Sequence, residues 1–328
     1  MTEIGVHAPV VEVLLGPEER RAALERDVRE GLMATPKRLP PKWHYDAEGS
    51  RLFGEITRLP EYYLTRAERE ILAARSDEIA AVSGADTLVE LGAGTSEKTR
   101  LLLDALRDAG RLERVVVVDV DEETLRESAE RLAGEYPGAA VHGVVGDLEE
   151  HLDALPREGR RLVAFLGSSI GNFEAPERAA FLRRLRETME PGESFLLGTD
   201  LVKDPARLQA AYDDAAGVTP RFSLNLLSVL NRELEADFDP ARFRHVPRWD
   251  PERELVDIRL RSLAPQRVRI GALGLEVEFA EGEELHTETS AKFRREGVER
   301  ELGHAGFVLR ECWTDEAGDF ALSLSGAD

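Results

Sequence analysis

From Thr65 onward, helical and strand periods alternate in an order that few architectures other than a doubly wound α/β sheet accommodate. Thr65 and Glu68 have the spacing of a capping box, which predicts a helix running towards Val82. Residues 87–91 read as the first strand, and Ser96 as the cap of a helix whose apolar face holds Leu101, Leu102, Leu103 and Leu106. Residues 115–118 are wholly apolar and end in Asp119, the pattern of a strand buried on both faces. Asp121 suits the cap of the next helix, a third strand ends near Asp147, and a fourth covers 162–166. A helix over about 175–189 leads to a fifth strand at 194–197, followed by Gly198-Thr199-Asp200.

The chain returns to strands at 307–313 and 320–325, where Asp315-Glu-Ala-Gly318 predicts a β-hairpin. A terminal antiparallel pair appended to a parallel sheet suits the methyltransferase variant of the fold. Between sheet and hairpin lie predicted helices at 205–215 and 224–236 and alternating strands at 255–260 and 275–279. Before Thr65 a helix over 17–33 gives way to an irregular run through Pro36, Pro40 and Pro41. The expected architecture is a Rossmann-like class I methyltransferase sheet with a terminal antiparallel hairpin, plus a second α+β substrate-binding domain. Its expected boundaries are 67–201 with 292–328 for the core and 14–66 with 202–291 for the second domain, leaving 1–13 as an N-terminal arm.

Charge narrows the partner. With 43 Lys plus Arg against 64 Asp plus Glu, the formal charge of -21 disfavours a nucleic acid or an anionic membrane and favours a small molecule. One cysteine, Cys312, builds neither a disulfide framework nor a Cys-rich metal site, and no basic-then-apolar leader is evident. The expectation is a cytoplasmic monomer with no metal centre.

Val89-Glu90-Leu91-Gly92-Ala93-Gly94-Thr95-Ser96-Glu97-Lys98 places two glycines directly after the first strand and before a helix. Taken alone, Gly-x-Gly is a tight turn as readily as a ligand loop. Asp119, about 25 residues on at the end of the second strand, adds a carboxylate able to accept from both hydroxyls of a ribose. Glu97 stands where dinucleotide-binding loops carry a third Gly or Ala, which turns the reading away from a pyrophosphate. S-adenosylmethionine meets these terms: a ribose for Asp119, a zwitterionic methionine end for the glycine loop and Lys98, and an adenine amino group for Asp147, with Leu148 beside it. Read singly, Asp147 is equally a turn aspartate and Lys98 a solvated helix lysine.

The wording of the motifs goes further than the fold. Leu88-Val-Glu-Leu-Gly-Ala-Gly-Thr-Ser-Glu-Lys-Thr-Arg100, Pro41-Lys-Trp-His-Tyr45-Asp46, Leu59-Pro-Glu-Tyr-Tyr-Leu-Thr-Arg-Ala-Glu-Arg69, Phe165-Leu-Gly-Ser-Ser-Ile-Gly-Asn172, Gly198-Thr-Asp-Leu-Val-Lys-Asp204, Ala211-Tyr-Asp-Asp-Ala-Ala-Gly217 and Thr287-Glu-Thr-Ser-Ala-Lys-Phe293 follow one another in the chain. Together they resemble the L-histidine Nα-methyltransferases of ergothioneine biosynthesis, from roughly residue 36 to the C-terminus.

The resemblance implies trimethylation of the α-amino group of histidine to hercynine, with cofactor contacts at Tyr45, Gly92, Lys98, Asp119 and Asp147. It implies a substrate pocket of Tyr62, Gly167, Asn172, Tyr212, Glu288 and Ser290, in which Asn172 and Tyr212 hold the α-carboxylate. Tyr62, Glu288 and Ser290 would address the imidazole, whose donor and acceptor a carboxylate and a hydroxyl can both read. Two residues apart on a strand, Glu288 and Ser290 would share a face. Tyr45 and Asn172 are the expected catalytic positions, with Tyr45 or a water as the proton acceptor. Ile258 stands where the resemblance implies Met near the substrate side chain, a swap that alters pocket shape modestly. Two rivals remain at this point: the same chemistry on tryptophan or another amino acid, and a noncatalytic cofactor-binding sensor or scaffold.

Overall fold

The computed structural model describes residues 8–327. In chain order its first strands are β1 (Val10–Val13), β2 (Thr87–Leu91), β3 (Arg114–Asp119), β4 (Ala140–Val145), β5 (Arg161–Phe165) and β6 (Ser194–Asp200). The later ones are β7 (Phe243–Asp250), β8 (Leu255–Ser262), β9 (Gln266–Ile270), β10 (Leu275–Phe279), β11 (Glu284–Ala291), β12 (Val308–Thr314) and β13 (Phe320–Gly326). The helices are α1 (Pro17–Met33), α2 (Ala47–Ile56), α3 (Leu64–Ser83), α4 (Thr99–Asp108), α5 (Glu122–Glu135), α6 (Ala175–Glu187), α7 (Pro205–Tyr212), α8 (Val218–Leu234) and α9 (Arg295–His304). The chain divides into two compact units. The first takes the N-terminal residues to Leu15, Leu64–Val202 and Lys292 onward; the second takes Gly16–Tyr63 and Lys203–Ala291. Among the described residues no helix is long and apolar enough to cross a membrane.

Unit 1 is built on one sheet in the order β1-β4-β3-β2-β5-β6-β13-β12. Its first six strands are mutually parallel, and β13 runs antiparallel to both β6 and β12. This is the Rossmann-like methyltransferase sheet. The strands β2 and β5 are buried at every position, as apolar runs covered on both faces must be. From β2 the chain winds outward through β3 and β4, then returns to β5 and β6 on the other side. The order therefore reverses between β2 and β5, and a crevice at the carboxyl ends of those two strands is where such sheets bind ligands. At the other end of the sheet, Arg161 and Glu193 form a buried two-pronged ion pair at 2.6 Å, with the Thr188 carbonyl accepting from the same guanidinium.

Several local expectations change. Val10–Val13, inside the stretch set apart as an arm, is an edge strand parallel to β4, too short to show a period. The strand β6 continues through Gly198-Thr199-Asp200, because β13 pairs with it all the way to Asp200. Helix α3 begins at Leu64, so Thr65 lies inside it and makes no capping box with Glu68. Ser96 does not cap α4: it has φ +51, and the cap position belongs to Lys98. Asp121 does cap α5, accepting from the Thr124 N–H.

Unit 2 contains a three-stranded antiparallel sheet, β11-β8-β7, and the hairpin β9–β10. Leu24, Val28 and Leu32 of α1, four residues apart, meet Leu226, Leu227, Leu230 and Leu234 of α8 with Val268, Val277 and Phe279 in one apolar core. Helix α7 stops at Tyr212, short of the expected end. Helix α8 starts at Val218, earlier than expected, because Pro220 falls in the first turn, where a missing N–H costs nothing. The proline-rich run is pinned to β11 through Leu39 N–H to the His286 carbonyl and His286 N–H to the Lys37 carbonyl.

Candidate active site

In unit 1 the glycine turn after β2 takes its shape from positive φ, +67 at Gly92 and +50 at Gly94. A Cβ on Gly94 would meet nothing within 4 Å, so backbone angle and an open face, rather than crowding, require glycine there. Gly94 N–H donates to Asp119 Oδ2 at 2.8 Å, and Asp121 N–H donates to Oδ1 at 3.1 Å. Burial raises the Asp119 carboxyl above its usual range, and these N–H groups oppose it. The strand-end aspartate thus shapes the loop that it also borders.

Around the same turn, Glu90 Oε2, Ser96 Oγ and Thr99 Oγ1 are buried without a hydrogen-bond partner. Burial pushes Glu90 up to about 7, against the pull of the nearby Thr99 hydroxyl and Lys98 ammonium. Buried polar atoms normally find partners, so an acceptor and two hydroxyls left open beside a glycine loop suit a ligand end that is both cationic and hydrogen-bonding. The zwitterionic methionine end of S-adenosylmethionine fits this set. At the end of β4, Asp147 is buried, and its Oδ1 accepts from Glu149 N–H at 2.9 Å across the turn that carries Leu148. Lys98 is ion-paired to Glu68 Oε2, and Glu68 Oε1 accepts from Gly167 N–H at 2.8 Å. Gly167 (φ +73) and Ser168 (φ +59) are both left-handed, and the short turn they enter ends at the half-buried Asn172.

Unit 2 brings together most of the remaining expected residues. Tyr212, buried at the end of α7, shares a 2.7 Å hydrogen bond with Ser290 Oγ on β11. Glu288 lies two residues back on that strand, half-buried, and pairs in register with the fully buried Ile258 of β8. The ring of Tyr62 meets that of Tyr212 edge-on at 6.4 Å. Tyr45 and Tyr62 both set their edges against Phe53, at 5.8 and 6.2 Å. His245 Nε2 donates to the Tyr212 carbonyl at 2.8 Å, leaving its buried Nδ1 as an unpartnered acceptor. Gly167 and Asn172 belong to unit 1.

Glu68, Glu90 and His245 were not singled out by the sequence as site residues. Glu68 had a signal: it falls in the buried stripe of α3 with Leu64, Ala67, Ile71 and Leu72, where an acid requires a buried partner.

A family model described as histidine-specific methyltransferase, SAM-dependent, matches residues 24–327. The chain belongs to this family. It is 58% identical over 311 residues to the histidine N-alpha-methyltransferase of Mycolicibacterium smegmatis, covering 95% of this chain and 97% of that one. It is equally 58% identical, with the same coverage, to the histidine N-alpha-methyltransferase of Mycobacterium tuberculosis. Ergothioneine biosynthesis protein 1 of Neurospora crassa is 30% identical over 321 residues, 90% of this chain but 34% of the fungal protein. A member of the histidine-specific family uses S-adenosylmethionine as its methyl donor, so the glycine turn and Asp119 belong to a methyltransferase and not to a dinucleotide enzyme.

Proposed function

We propose that the chain transfers methyl groups from S-adenosylmethionine to the α-amino nitrogen of free L-histidine, three times in succession, giving hercynine in the first step of ergothioneine biosynthesis. The observation that carries this reading is the 58% identity with a histidine N-alpha-methyltransferase along nearly the whole of both chains. It acts as a cytoplasmic monomer.

When bound, S-adenosylmethionine supplies an electrophilic methyl group on a sulfonium. Asp119 accepts from the ribose hydroxyls, Asp147 and the adjoining Leu148 take the adenine, and Lys98, Gly92 and Tyr45 hold the methionine end. Asn172 and Tyr212 anchor the acceptor's carboxylate, while Tyr62, Glu288 and Ser290 read its imidazole. Gly167 leaves backbone room beside them. The amine must lose a proton to expose its lone pair, and a water, or Tyr45 in its phenolate form, takes it. Alignment then does most of the catalysis, since a nucleophile held in line with its target gains several kcal/mol without any covalent step, about 7–11 in well-oriented cases. The Tyr212–Ser290 bond supports this division, because it ties the carboxylate anchor to the imidazole reader in one buried pair.

A panel of free amino acids read by mass spectrometry tests the proposal. Histidine should gain one, two and then three methyl masses; no reaction with histidine, with turnover of another amino acid, would overturn it. Asn172→Ala should weaken histidine binding by roughly tenfold or more while S-adenosylhomocysteine binding holds, both read by calorimetry. Equal loss of both would remove Asn172 from the acceptor site.

A further inference from the structure

We propose that Glu68 is a positioning residue that fixes Lys98 and the Gly167 turn in one arrangement before the cofactor arrives. The proposal rests on the reading of Lys98 as a ligand of the cofactor's carboxylate. Glu68 is the innermost charge of the cluster: its side chain is 0% exposed, whereas that of Lys98 is 21% exposed. Both of its oxygens are used, Oε2 by the Lys98 ammonium and Oε1 by Gly167 N–H at 2.8 Å. The two partners are themselves neighbours, since a Cβ on Gly167 would lie 3.6 Å from Lys98 Nζ. The third neighbour is β6, where a Cβ on Gly198 would fall 2.3 Å from Glu68 Oε1, so glycine is needed for the carboxylate to pass.

Burying a carboxylate is expensive unless its partners compensate for the lost water. Here those partners are the lysine at the start of α4, which follows the glycine loop after β2, and the backbone of the turn after β5. These are the two strand ends at which the sheet order reverses. A free lysine head explores many rotamers, and holding it on binding costs conformational entropy. Tethered to Glu68 by one of its three N–H groups, Lys98 keeps two donors on its exposed side in a direction already set. The methionine end of the ligand is zwitterionic, so removing the charge of Glu68 has opposing effects on its two ends, and the positional effect decides the outcome.

Calorimetry with S-adenosylhomocysteine on wild type, Glu68→Gln, Lys98→Met and the double variant reads this directly. Glu68→Gln keeps an acceptor for Gly167 but turns an NH2 towards the ammonium. It should weaken binding roughly tenfold, and the double variant should bind no worse than Lys98→Met alone. Losses that multiply in the double variant, or a folded Glu68→Gln with wild-type binding beside a weakened Lys98→Met, would overturn the positioning role and leave Lys98 as a ligand. Wild-type binding by Lys98→Met would overturn both. If Glu68→Gln fails to fold, amide exchange in the wild-type protein decides: the tether should protect Gly167 N–H strongly, and exchange at the rate of an open turn would remove it.

Discussion

The two units bury different kinds of polar group. Unit 1 buries ions of both signs, in the pairs Arg161–Glu193 and Lys292–Asp200, and buries the Glu68 carboxylate against a half-buried Lys98. Among the described residues, the buried polar side chains of unit 2 are hydroxyls and the imidazoles of His44 and His245, with Asp214 the one acid. Asp214 in turn is held by the Val218 and Thr219 N–H groups at the start of α8. Unit 1 can bury charge because parallel strands end in rows of turns whose backbone N–H groups and opposed side chains compensate it. In unit 2 the buried polar contacts are hydroxyl and aromatic ones, such as Tyr212 with Ser290 and Tyr62, whose individual energies are small. The contrast teaches that a charge-removing substitution should be severe in the first unit and mild in the second.

The harshest test is Arg161→Ala, which strands the Glu193 carboxylate and should cost about 3–5 kcal/mol in urea unfolding. A loss below about 1 kcal/mol would dissolve the contrast.

The two units should also fail on opposite sides of neutrality. Burial pushes Glu90 up to about 7, so the folded state favours its proton: that stability is complete below the ordinary carboxyl range and is lost as pH rises through about 7. Burial pushes His44 down to about 4, so the folded state favours the neutral ring. That stability is complete above 6.5 and is lost as pH falls through 4. Each shift is worth about 3 kcal/mol at most. Glu90→Gln should therefore flatten the Tm profile between pH 5 and 8 only, and His44→Phe only between pH 6.5 and 4. A profile that both variants leave unchanged would show that neither group sets it.

A smaller effect is expected of Tyr212→Phe, which deletes one buried hydroxyl bond and should raise the KM for histidine about fivefold while leaving cofactor binding alone. The smallest should come from Ile258→Met. The site is fully buried and opposite Glu288, and a swap of similar volume should change the ratio of kcat/KM for histidine over tryptophan by only a few fold. A reversal of preference would make residue 258 the selector of the acceptor.

How much was legible follows the same division. The unit 1 strands announce themselves as short apolar runs, and the residues expected to hold the cofactor are local to them: Gly92 and Gly94 follow β2, Asp119 ends β3, Asp147 follows β4. Ser96 misled because a serine before a helix is a common cap, whereas here the chain needs a left-handed residue at that step. Glu68 misled because Thr65-x-x-Glu68 has capping-box spacing, although the acid's partners lie 30 and 99 residues away. In unit 2 the alternating patterns of β8 and β10 were visible, but which strand faces which was not. That Ile258 stands opposite Glu288 depends on the pairing of β8 with β11, which no local pattern encodes. The Tyr212–Ser290 contact spans 78 residues, and only the resemblance had put both in one pocket.

The late strand β13 has a consequence for how the protein is made. It pairs with β6 along its full length, with Thr199 and Ala321 meeting across 122 residues of chain. At a synthesis rate of ~5–20 residues per second, β6 waits on the order of ten seconds for its neighbour, offering an open row of backbone donors and acceptors to any other strand in reach. For that interval the nascent chain depends on chaperones, or on dilution, more than the finished enzyme ever does.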